Sequence, residues 1–279
     1  MAISFSDFDD PAFAAEFAAR RHDRIERVVS RLVPLAGIGA GQTVVDLCCG
    51  PGLLTRRLAE LVGPAGTVIG VDGSEAMVEI ARRETAGMGN VQIVHRDGYV
   101  VSTAVDAPVD HVIATSVWQN FLTDHRRLLG ELGRTLERGG RFSFDVRLRI
   151  GETPDVSFSD AVALVRARVP GLELSDRPER PVRQPYGRAE FDGDLALLGE
   201  CGFRVVEHSE DERGGAGTWL DRQSWRFEFW LSRKAPELSA AERADVVADV
   251  TRELREGRAH TEARRVAVDI VAERTPRTA

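Results

Sequence analysis

The sequence contains little cysteine, and its arrangement suits neither a disulfide framework nor a metal site. Three cysteines occur in 279 residues, and two of them, Cys48 and Cys49, are adjacent inside an apolar run, where they cannot readily bond each other. The histidines are scattered singly, without the spacing of metal ligands. We therefore expect no disulfide framework and no bound metal. We also expect the protein to lie in the cytoplasm, where conditions are reducing.

Long apolar runs and excess positive charge are also missing. No window approaches the roughly 18 apolar residues that a membrane-spanning helix needs, and residues 1–10 are acidic, without a positively charged leader. The formal net charge is -7, whereas a protein that tracks a phosphate backbone needs a positive surface. We therefore expect neither a membrane span nor a nucleic-acid partner.

The composition is otherwise that of an ordinary folded protein. Hydrophobic residues make up 43% of the chain and charged residues 29%, which sets it apart from disordered and fibrous proteins. Its 279 residues are enough for one large domain, or for one domain with a lid.

Short β-branched runs alternate with helical patterns over the first half of the chain. Candidate strands lie at 43–47, 67–72, 91–95, 110–115 and 141–146, and candidate helices at 53–62, 74–85 and 121–136. This alternation predicts a doubly wound α/β core over 41–150, preceded by an N-terminal helical cover at 1–40. We expect Gly139 and Gly140 to end the last helix before its strand.

The pattern breaks after residue 150. Residues 151–187 contain five prolines, so we interpret 151–190 as a loop or lid that holds one short helix near 159–168. Helical periodicity returns at 192–201, and strand patterns at 203–208 and 265–273. We therefore expect 191–279 to continue the same sheet, with a helical insertion near 216–258.

The most informative stretch is a strand that ends in a glycine turn and opens a helix. It reads VVDLCCGPGLLT over 44–55, and such a turn at the carboxyl edge of a first strand marks a ligand site. A dinucleotide site would place a glycine where Thr55 stands, three positions after Gly52, and the Asp46 carboxylate would repel a pyrophosphate. That carboxylate would attract an ammonium group, so the near end of the ligand is predicted to be cationic or zwitterionic.

The next two strands add the features of a nucleoside site. Asp72 ends the second strand, 22 residues beyond Gly50, where its carboxylate can accept hydrogen bonds from ribose hydroxyls. Ser74 is the expected N-cap of the next helix, and Met77 could lie against an adenine face. Asp97, after the third strand, could accept a hydrogen bond from an exocyclic amine.

Four segments together resemble the class I S-adenosylmethionine-dependent methyltransferases, over roughly 42–146. They are the turn at 46–52, GVDGSEAM at 70–77, RDG at 96–98, and 132–144 with its ERGG turn. The resemblance implies a seven-stranded, mostly parallel sheet whose last strand, at 265–273, is antiparallel beside 203–208. It also implies S-adenosyl-L-methionine as cofactor and S-adenosyl-L-homocysteine as product.

The resemblance carries roles onto the matching positions. Asp46 and Gly50 would lie near the methionine moiety and Asp72 on the ribose, while Met77 and Asp97 would surround the adenine. The full set of candidate cofactor-binding residues is Asp46, Cys48, Gly50, Gly52, Asp72, Gly73, Met77, Asp97, Gly98 and Ser116.

The segment after the fourth strand, 115–121, should face the methyl acceptor. Candidate substrate-pocket residues are Trp118 and Asn120 in this segment, Arg147 after the fifth strand, and Tyr186. His22, His125 or Tyr186 could take a proton from a hydroxyl acceptor, but we assign no base, because displacement on a sulfonium can proceed by positioning alone in a dehydrated site.

Three functions stay open at this point. The one we adopt is methyl transfer to a small-molecule metabolite by direct in-line displacement. The second uses the same cofactor for other chemistry, such as transfer or cyclisation of its aminobutyrate arm, and the third is a non-catalytic cofactor-binding protein. The sequence assigns neither the acceptor nor the oligomeric state, monomer or homodimer.

Overall fold

The computed structural model describes residues 8–150, 158–169, 186–213, 219–256 and 264–275. These residues divide into two compact units. The larger, which we call the sheet unit, lies within Ala2–Leu148, Tyr186–Asp211 and Ala267–Ala279, and the smaller, the helical unit, lies within Arg149–Pro185 and Glu212–Val266.

A seven-stranded sheet organises the sheet unit. Its strands are β1 (Thr43–Leu47), β2 (Thr67–Asp72), β3 (Val91–His95), β4 (Val109–Ala114), β5 (Leu136–Ile150), β6 (Phe203–Arg213) and β7 (Arg264–Arg274). They lie in the order β3-β2-β1-β4-β5-β7-β6, and β1 to β5 pair in parallel, with Asp46 opposite Gly70 on one side and Ile113 on the other. The order reverses between β1 and β4, where such sheets form a crevice beyond the carboxyl ends of their strands.

The last two strands run antiparallel to each other. The Gly202 carbonyl accepts a hydrogen bond from the Thr275 amide, 2.9 Å away, and Arg204 pairs with Glu273 at 3.0 Å. The start of β6 therefore lies beside the end of β7, so the two strands run in opposite directions. The prediction of a mostly parallel, seven-stranded sheet with an antiparallel final strand is confirmed.

Nine helices are described. They are α1 (Pro11–Ala19), α2 (His22–Ala36), α3 (Leu53–Val62), α4 (Glu75–Glu84), α5 (His125–Thr135), α6 (Phe158–Arg168), α7 (Arg188–Glu200), α8 (Trp219–Lys234) and α9 (Ala240–Glu256), with a 3-10 segment at Gly98–Ala104. None of these described helices is long and apolar enough to cross a membrane. In the same residues, no group of three or more His, Cys, Asp or Glu side chains could hold a metal ion.

Burial explains where the central elements form. Val44, Val45 and Leu47 of β1 have no exposed surface, as expected for a strand covered by helices on both faces. On one face, Leu32 of α2 and Leu58 of α3 belong to the same buried cluster as Val44.

The predicted boundaries shift at several elements. The α5 helix begins at His125 rather than at 121, because the Asp124 carboxylate caps it by accepting from the Arg127 amide at 3.1 Å. The fourth strand covers 109–114 instead of 110–115, and α7 begins at Arg188, earlier than 192. The short helix expected near 159–168 is α6, while 151–157 and 170–185 of the predicted lid lie outside the described residues.

The expectation that Gly139 and Gly140 end a helix is wrong. The α5 helix ends at Thr135 and β5 follows at once, so both glycines lie inside the strand. The pairing of β4 with β5 shifts register here, Gly139 has a φ of 82°, and a Cβ on Gly140 would lie 3.1 Å from the Val109 carbonyl oxygen. The glycines therefore serve a bulge in which two backbones approach closely.

The helical unit has a core of its own. Helices α6, α8 and α9 pack through small, branched and aromatic apolar side chains: Ala161, Val165, Phe227, Leu231, Ala235, Val247, Val250 and Leu254. The helical insertion expected near 216–258 accordingly contains two helices, α8 and α9.

Candidate active site

A cleft lies beyond the carboxyl ends of β1, β2 and β4, within the sheet unit. It encloses about 680 Å³ of space, part of which is open solvent at its mouth. Six predicted cofactor-binding residues line it: Asp46, Cys48, Gly50, Asp72, Met77 and Ser116. The structure thus brings six of the ten predicted cofactor-binding residues together.

The Asp72 carboxylate braces the glycine turn. One oxygen accepts from the Gly50 amide at 2.8 Å, and the other accepts from the Ser74 amide at 2.9 Å. An ionised carboxylate has about four acceptor positions, so Asp72 keeps capacity for a ligand. Gly50 has a φ of 57°, and a Cβ there would meet nothing within 4 Å, which lets a ligand approach the backbone.

Among the described residues, Thr55 is the side-chain hydrogen-bond partner of the buried Asp46 carboxyl group. It is 2% exposed, and the Thr55 hydroxyl donates to it at 2.7 Å. Burial raises the pKa of Asp46 to about 7. The hydrogen bond from Thr55 lowers this pKa, and the negative charge of Asp72 raises it further. A cationic group placed here would favour the carboxylate form.

Two non-glycine residues on the cleft wall have left-handed backbone. Cys48 has a φ of 55° and Ser116 a φ of 60°, conformations that cluster at ligand sites. Burial raises the pKa of the Cys48 thiol well above its usual value, so the reactive thiolate does not form. Cys48 can therefore contact a ligand but is a poor nucleophile.

Two predicted cofactor-binding glycines do not line the cleft and serve packing instead. Gly52 begins α3 with a φ of 79°, and a Cβ there would lie 2.9 Å from the Cα of Ala81 in α4. A Cβ on Gly98 would lie 2.8 Å from a methyl group of Leu122. Both glycines let neighbouring segments approach closely, and a direct role at the cofactor stays a prediction.

Gly73 and Asp97 also lie outside the cleft lining. The Gly73 carbonyl is 3.0 Å from His95 Nε2. The Asp97 side chain is exposed and accepts from the Tyr99 amide at 2.9 Å, which caps the 3-10 segment. Contact of Asp97 with an adenine stays a prediction.

Two of the predicted substrate residues, Trp118 and Tyr186, belong to a cluster around Asp194. The Asp194 carboxylate accepts from Trp118 Nε1 at 2.6 Å, from His125 Nδ1 at 2.7 Å, and from the Tyr186 hydroxyl. Burial opposes ionisation, yet these hydrogen bonds hold the pKa of Asp194 below its usual value, while burial and Asp194 raise the pKa of Tyr186. This Asp194 cluster holds the 115–121 segment through the hydrogen bond of Trp118, and it does not line the cleft.

Asn120 and Arg147, the other predicted substrate residues, lie near the cleft without lining it. Nδ2 of the Asn120 side chain donates to the Ser116 carbonyl at 2.7 Å and so stabilises the turn after β4. The Arg147 backbone amide donates to Gln119 Oε1 at 2.5 Å. The roles of Asn120 and Arg147 toward a substrate remain predictions.

The N-terminal cover supplies cleft residues that the sequence analysis missed. Phe8, Phe17, Arg21 and Ile25 line the cleft together with Phe121. The Phe8 ring meets those of Phe17 and Phe121 edge to face, with centroids 5.1 and 5.5 Å apart. The helical spacing of Phe17 and Ile25 was visible in the sequence, but it indicated only a packed face.

A second missed feature joins α2 to the end of β5. Arg24 pairs with Asp145 at 2.7 Å, and each side chain is 12% exposed. The other Asp145 oxygen accepts from the Ser116 amide at 2.6 Å. Burial would raise the pKa of Asp145, but Arg24 and the Ser116 amide hold it below the usual value. This pair fixes the left-handed turn at Ser116.

Comparison with known proteins identifies the central segment. Residues 44–140 match the family described as "Methyltransferase domain". Demethylmenaquinone methyltransferase of Staphylococcus aureus (strain JH9) is 33% identical over 131 residues, which cover 44% of this chain and 54% of that protein. The chain therefore spans about half the length of the curated relatives that it matches.

Solved structures show the same fold over most of the chain. A methyltransferase of Thiobacillus denitrificans in complex with S-adenosyl-L-homocysteine aligns with a TM-score of 0.56 at 18% identity, covering 98% of this chain and 99% of that one. The cyclase SpnF aligns with a TM-score of 0.56 at 17% identity, covering 89% and 81%. The chain thus shares its seven-stranded fold with these solved structures, and its residues 44–140 match the methyltransferase-domain family.

Proposed function

We propose that this protein transfers the methyl group of S-adenosylmethionine to a small molecule. The observation that carries the proposal is one cleft that holds an open glycine turn between two buried carboxyl groups, Asp46 and Asp72. Asp72 keeps acceptor capacity for the two ribose hydroxyls. Asp46 suits the ammonium group of the methionine arm, which favours its carboxylate form.

The chain's own residues bind and orient the reactants. When bound, the cofactor supplies a methyl group on a sulfonium: the acceptor's electron pair forms the new bond to carbon as the carbon–sulfur bond breaks and leaves its pair on sulfur. Ser116 and Val117, after β4, line the same cleft as the glycine turn. Holding donor and acceptor in line supplies much of the acceleration in such a displacement.

The N-terminal cover would exclude water from that reaction. The Ser74 hydroxyl donates to the Phe8 carbonyl at 2.7 Å, which ties the cover to the start of α4, next to Asp72. The rings of Phe8, Phe17 and Phe121 then close the cleft with apolar surface. A dehydrated site strengthens the electrostatic contacts within it.

A small acceptor agrees with the comparisons and with the charge of the chain. The Staphylococcus aureus relative acts, by its name, on demethylmenaquinone, and a net charge of -7 disfavours nucleic acid. The cysteines that the structure describes, Cys48, Cys49 and Cys201, are free thiols, which supports a reducing cytoplasmic location. We propose a reaction without metal, catalysed by a monomer or a homodimer.

A second candidate is another reaction of the same cofactor. The cyclase SpnF shares this fold, which supports the view that the fold does not determine the chemistry. In that case the cleft would bind S-adenosylmethionine while the aminobutyrate arm, rather than the methyl group, reacts.

Product analysis tests the proposal. The purified protein is incubated with methyl-labelled S-adenosylmethionine and a small-molecule extract, and mass spectrometry follows the label. We expect labelled product and S-adenosylhomocysteine, with loss of both in Asp46→Asn and retention in Glu79→Gln, which changes the same charge on the exposed side of α4. Loss of the aminobutyrate arm instead would favour the second candidate, and no turnover would favour a non-catalytic protein.

A further inference from the structure

The Ser116 turn is held by hydrogen bonds at both of its backbone groups. Ser116 lines the cleft after β4, with a φ of 60°. Its amide donates to Asp145 Oδ1 at 2.6 Å, and its carbonyl accepts from the Asn120 side chain at 2.7 Å. A residue other than glycine keeps a left-handed conformation where its surroundings fix it, and such residues cluster at functional sites. The two hydrogen bonds supply that restraint.

The sheet explains why a side chain of β5 reaches this turn. The pairing of β4 with β5 ends with Ala114 opposite Phe144, so Asp145 lies beside the point where β4 leaves the sheet. Successive side chains of a strand point to opposite faces. Phe144 packs against Trp118, with ring centroids 4.4 Å apart, and Asp145 points to the other face, where it meets Arg24 of α2.

Arg24 fixes the place of the Asp145 carboxylate. The Arg24 Nη2 atom lies 2.7 Å from Asp145 Oδ2, the oxygen that Ser116 does not use, and both side chains are 12% exposed. Burial opposes the ionisation of Asp145, yet Arg24 and the Ser116 amide hold its pKa below the usual value. A buried carboxylate that loses its cationic partner is strongly unfavourable. The position of α2 in the N-terminal cover is therefore linked to the Ser116 turn.

We propose that Arg24 and Asp145 are positioning residues for methyl transfer, which set the place of the Ser116 turn beside the reacting methyl group. Neither side chain is among the described residues that line the cleft, so both act through Ser116. The proposal rests on the proposed function, in which the segment after β4 faces the acceptor. Displacement at the methyl carbon needs donor and acceptor in line, and a misplacement of about 1 Å can cost about 100-fold in rate. Affinity for the cofactor, in contrast, is the sum of many contacts.

Rate and affinity are therefore compared in variants of the full chain. Arg24→Met removes the charge, and Arg24→Lys keeps it. Affinity for S-adenosylhomocysteine is measured by calorimetry, and methyl transfer is followed from methyl-labelled S-adenosylmethionine to one small-molecule extract. We expect Arg24→Met to transfer the label at least about tenfold more slowly, while its affinity for S-adenosylhomocysteine changes by less than about threefold. Arg24→Lys should recover part of the rate.

The matched control is Arg31→Met, which breaks the same kind of ion pair about two turns further along α2. Arg31 lies 2.9 Å from Asp269 of β7, and neither residue is among those that line the cleft. If the role of the Arg24 pair were only structural, Arg24→Met and Arg31→Met would lower the rate alike. A positioning role leaves Arg31→Met at the wild-type rate.

Nuclear magnetic resonance tests the position of the methyl group without turnover. The methyl resonance of bound S-adenosylmethionine should shift in Arg24→Met and stay in place in Arg31→Met. Asp145→Asn keeps the shape of its side chain, should behave as Arg24→Met does, and provides the same comparison if Arg24→Met does not fold.

Three results would overturn the positioning role: a wild-type rate in Arg24→Met, an equal loss of rate in Arg31→Met, or an unshifted methyl resonance in Arg24→Met. A loss of affinity as large as the loss of rate would overturn it as well, because the pair would then serve cofactor binding. Absence of cofactor binding or of methyl transfer in the wild type contradicts the proposed function itself, so the two failures are distinguished.

Discussion

Replacement of Gly52 by alanine should destabilise the sheet unit through a contact that the glycine makes possible. Gly52 begins α3 in the left-handed region, with φ 79° and ψ 7°. A Cβ there would lie 2.9 Å from both the Cα and the Cβ of Ala81. Because the Cα belongs to the backbone of α4, neither helix can relieve the contact by rotating a side chain.

The magnitude follows from two contributions. Left-handed backbone costs an alanine about 1–2 kcal/mol, and forcing extra volume into a packed contact costs about 1–3 kcal/mol. Gly52→Ala should therefore lower the free energy of unfolding by about 2–5 kcal/mol.

Gly37→Ala is the matched control. Gly37 is also left-handed, with φ 70° and ψ 29°, but its Cβ would lie 3.1 Å from Nη1 at the far end of the Arg141 side chain rather than from backbone. We expect that variant to lose about 1–2 kcal/mol. Urea unfolding followed by circular dichroism gives both values, and equal losses would refute the close packing of α3 on α4.

Three further variants test other parts of the account by urea unfolding. The pKa of Asp46 is about 7 in the folded protein and about 4 in the unfolded chain. Between these values the folded state binds a proton that the unfolded state has lost. The free energy of unfolding of the wild type should therefore fall by up to about 4 kcal/mol as pH rises from about 4 to about 7. Asp46→Asn should remove that fall. Ser74→Ala removes the cap of α4 and the bond to Phe8, which should cost about 1–2 kcal/mol. Asp194→Asn weakens the hydrogen bonds to Trp118 and its neighbours, which should cost about 1–3 kcal/mol.

For each of these variants, a particular result would contradict the prediction. An unchanged pH profile in Asp46→Asn would mean that this carboxyl does not hold the buried proton. Ser74→Thr keeps the hydroxyl and should restore most of the stability lost in Ser74→Ala. Asp192→Asn changes an exposed carboxylate on the same helix as Asp194, and a loss as large as that of Asp194→Asn would argue against the cluster.

Features encoded locally could be predicted from the sequence. Strands β1, β2 and β3 have the predicted bounds, because short β-branched runs between turns define them. Asp46, Gly50 and Asp72 also meet as expected, since a glycine turn and the ends of adjacent parallel strands converge at one edge of the sheet.

Features that depend on distant contacts were missed. The pairing of Arg24 with Asp145, and of Trp118 with Asp194, joins segments far apart in the chain, and periodicity reports only which face of a helix is apolar. The glycine pair at 139–140 misled for another reason, because adjacent glycines can either end a helix or form a bulge. The pairing of β4 with β5 decides between them.

We infer that the cleft binds S-adenosylmethionine through Asp72 and the glycine turn. Calorimetric titration with S-adenosylmethionine and S-adenosylhomocysteine tests it most directly, on the wild type, Asp72→Ala and Glu79→Gln. We expect both ligands to bind the wild type and Glu79→Gln, and to bind Asp72→Ala at least about tenfold more weakly. Absence of binding to the wild type, or equal affinity in Asp72→Ala and Glu79→Gln, would contradict it.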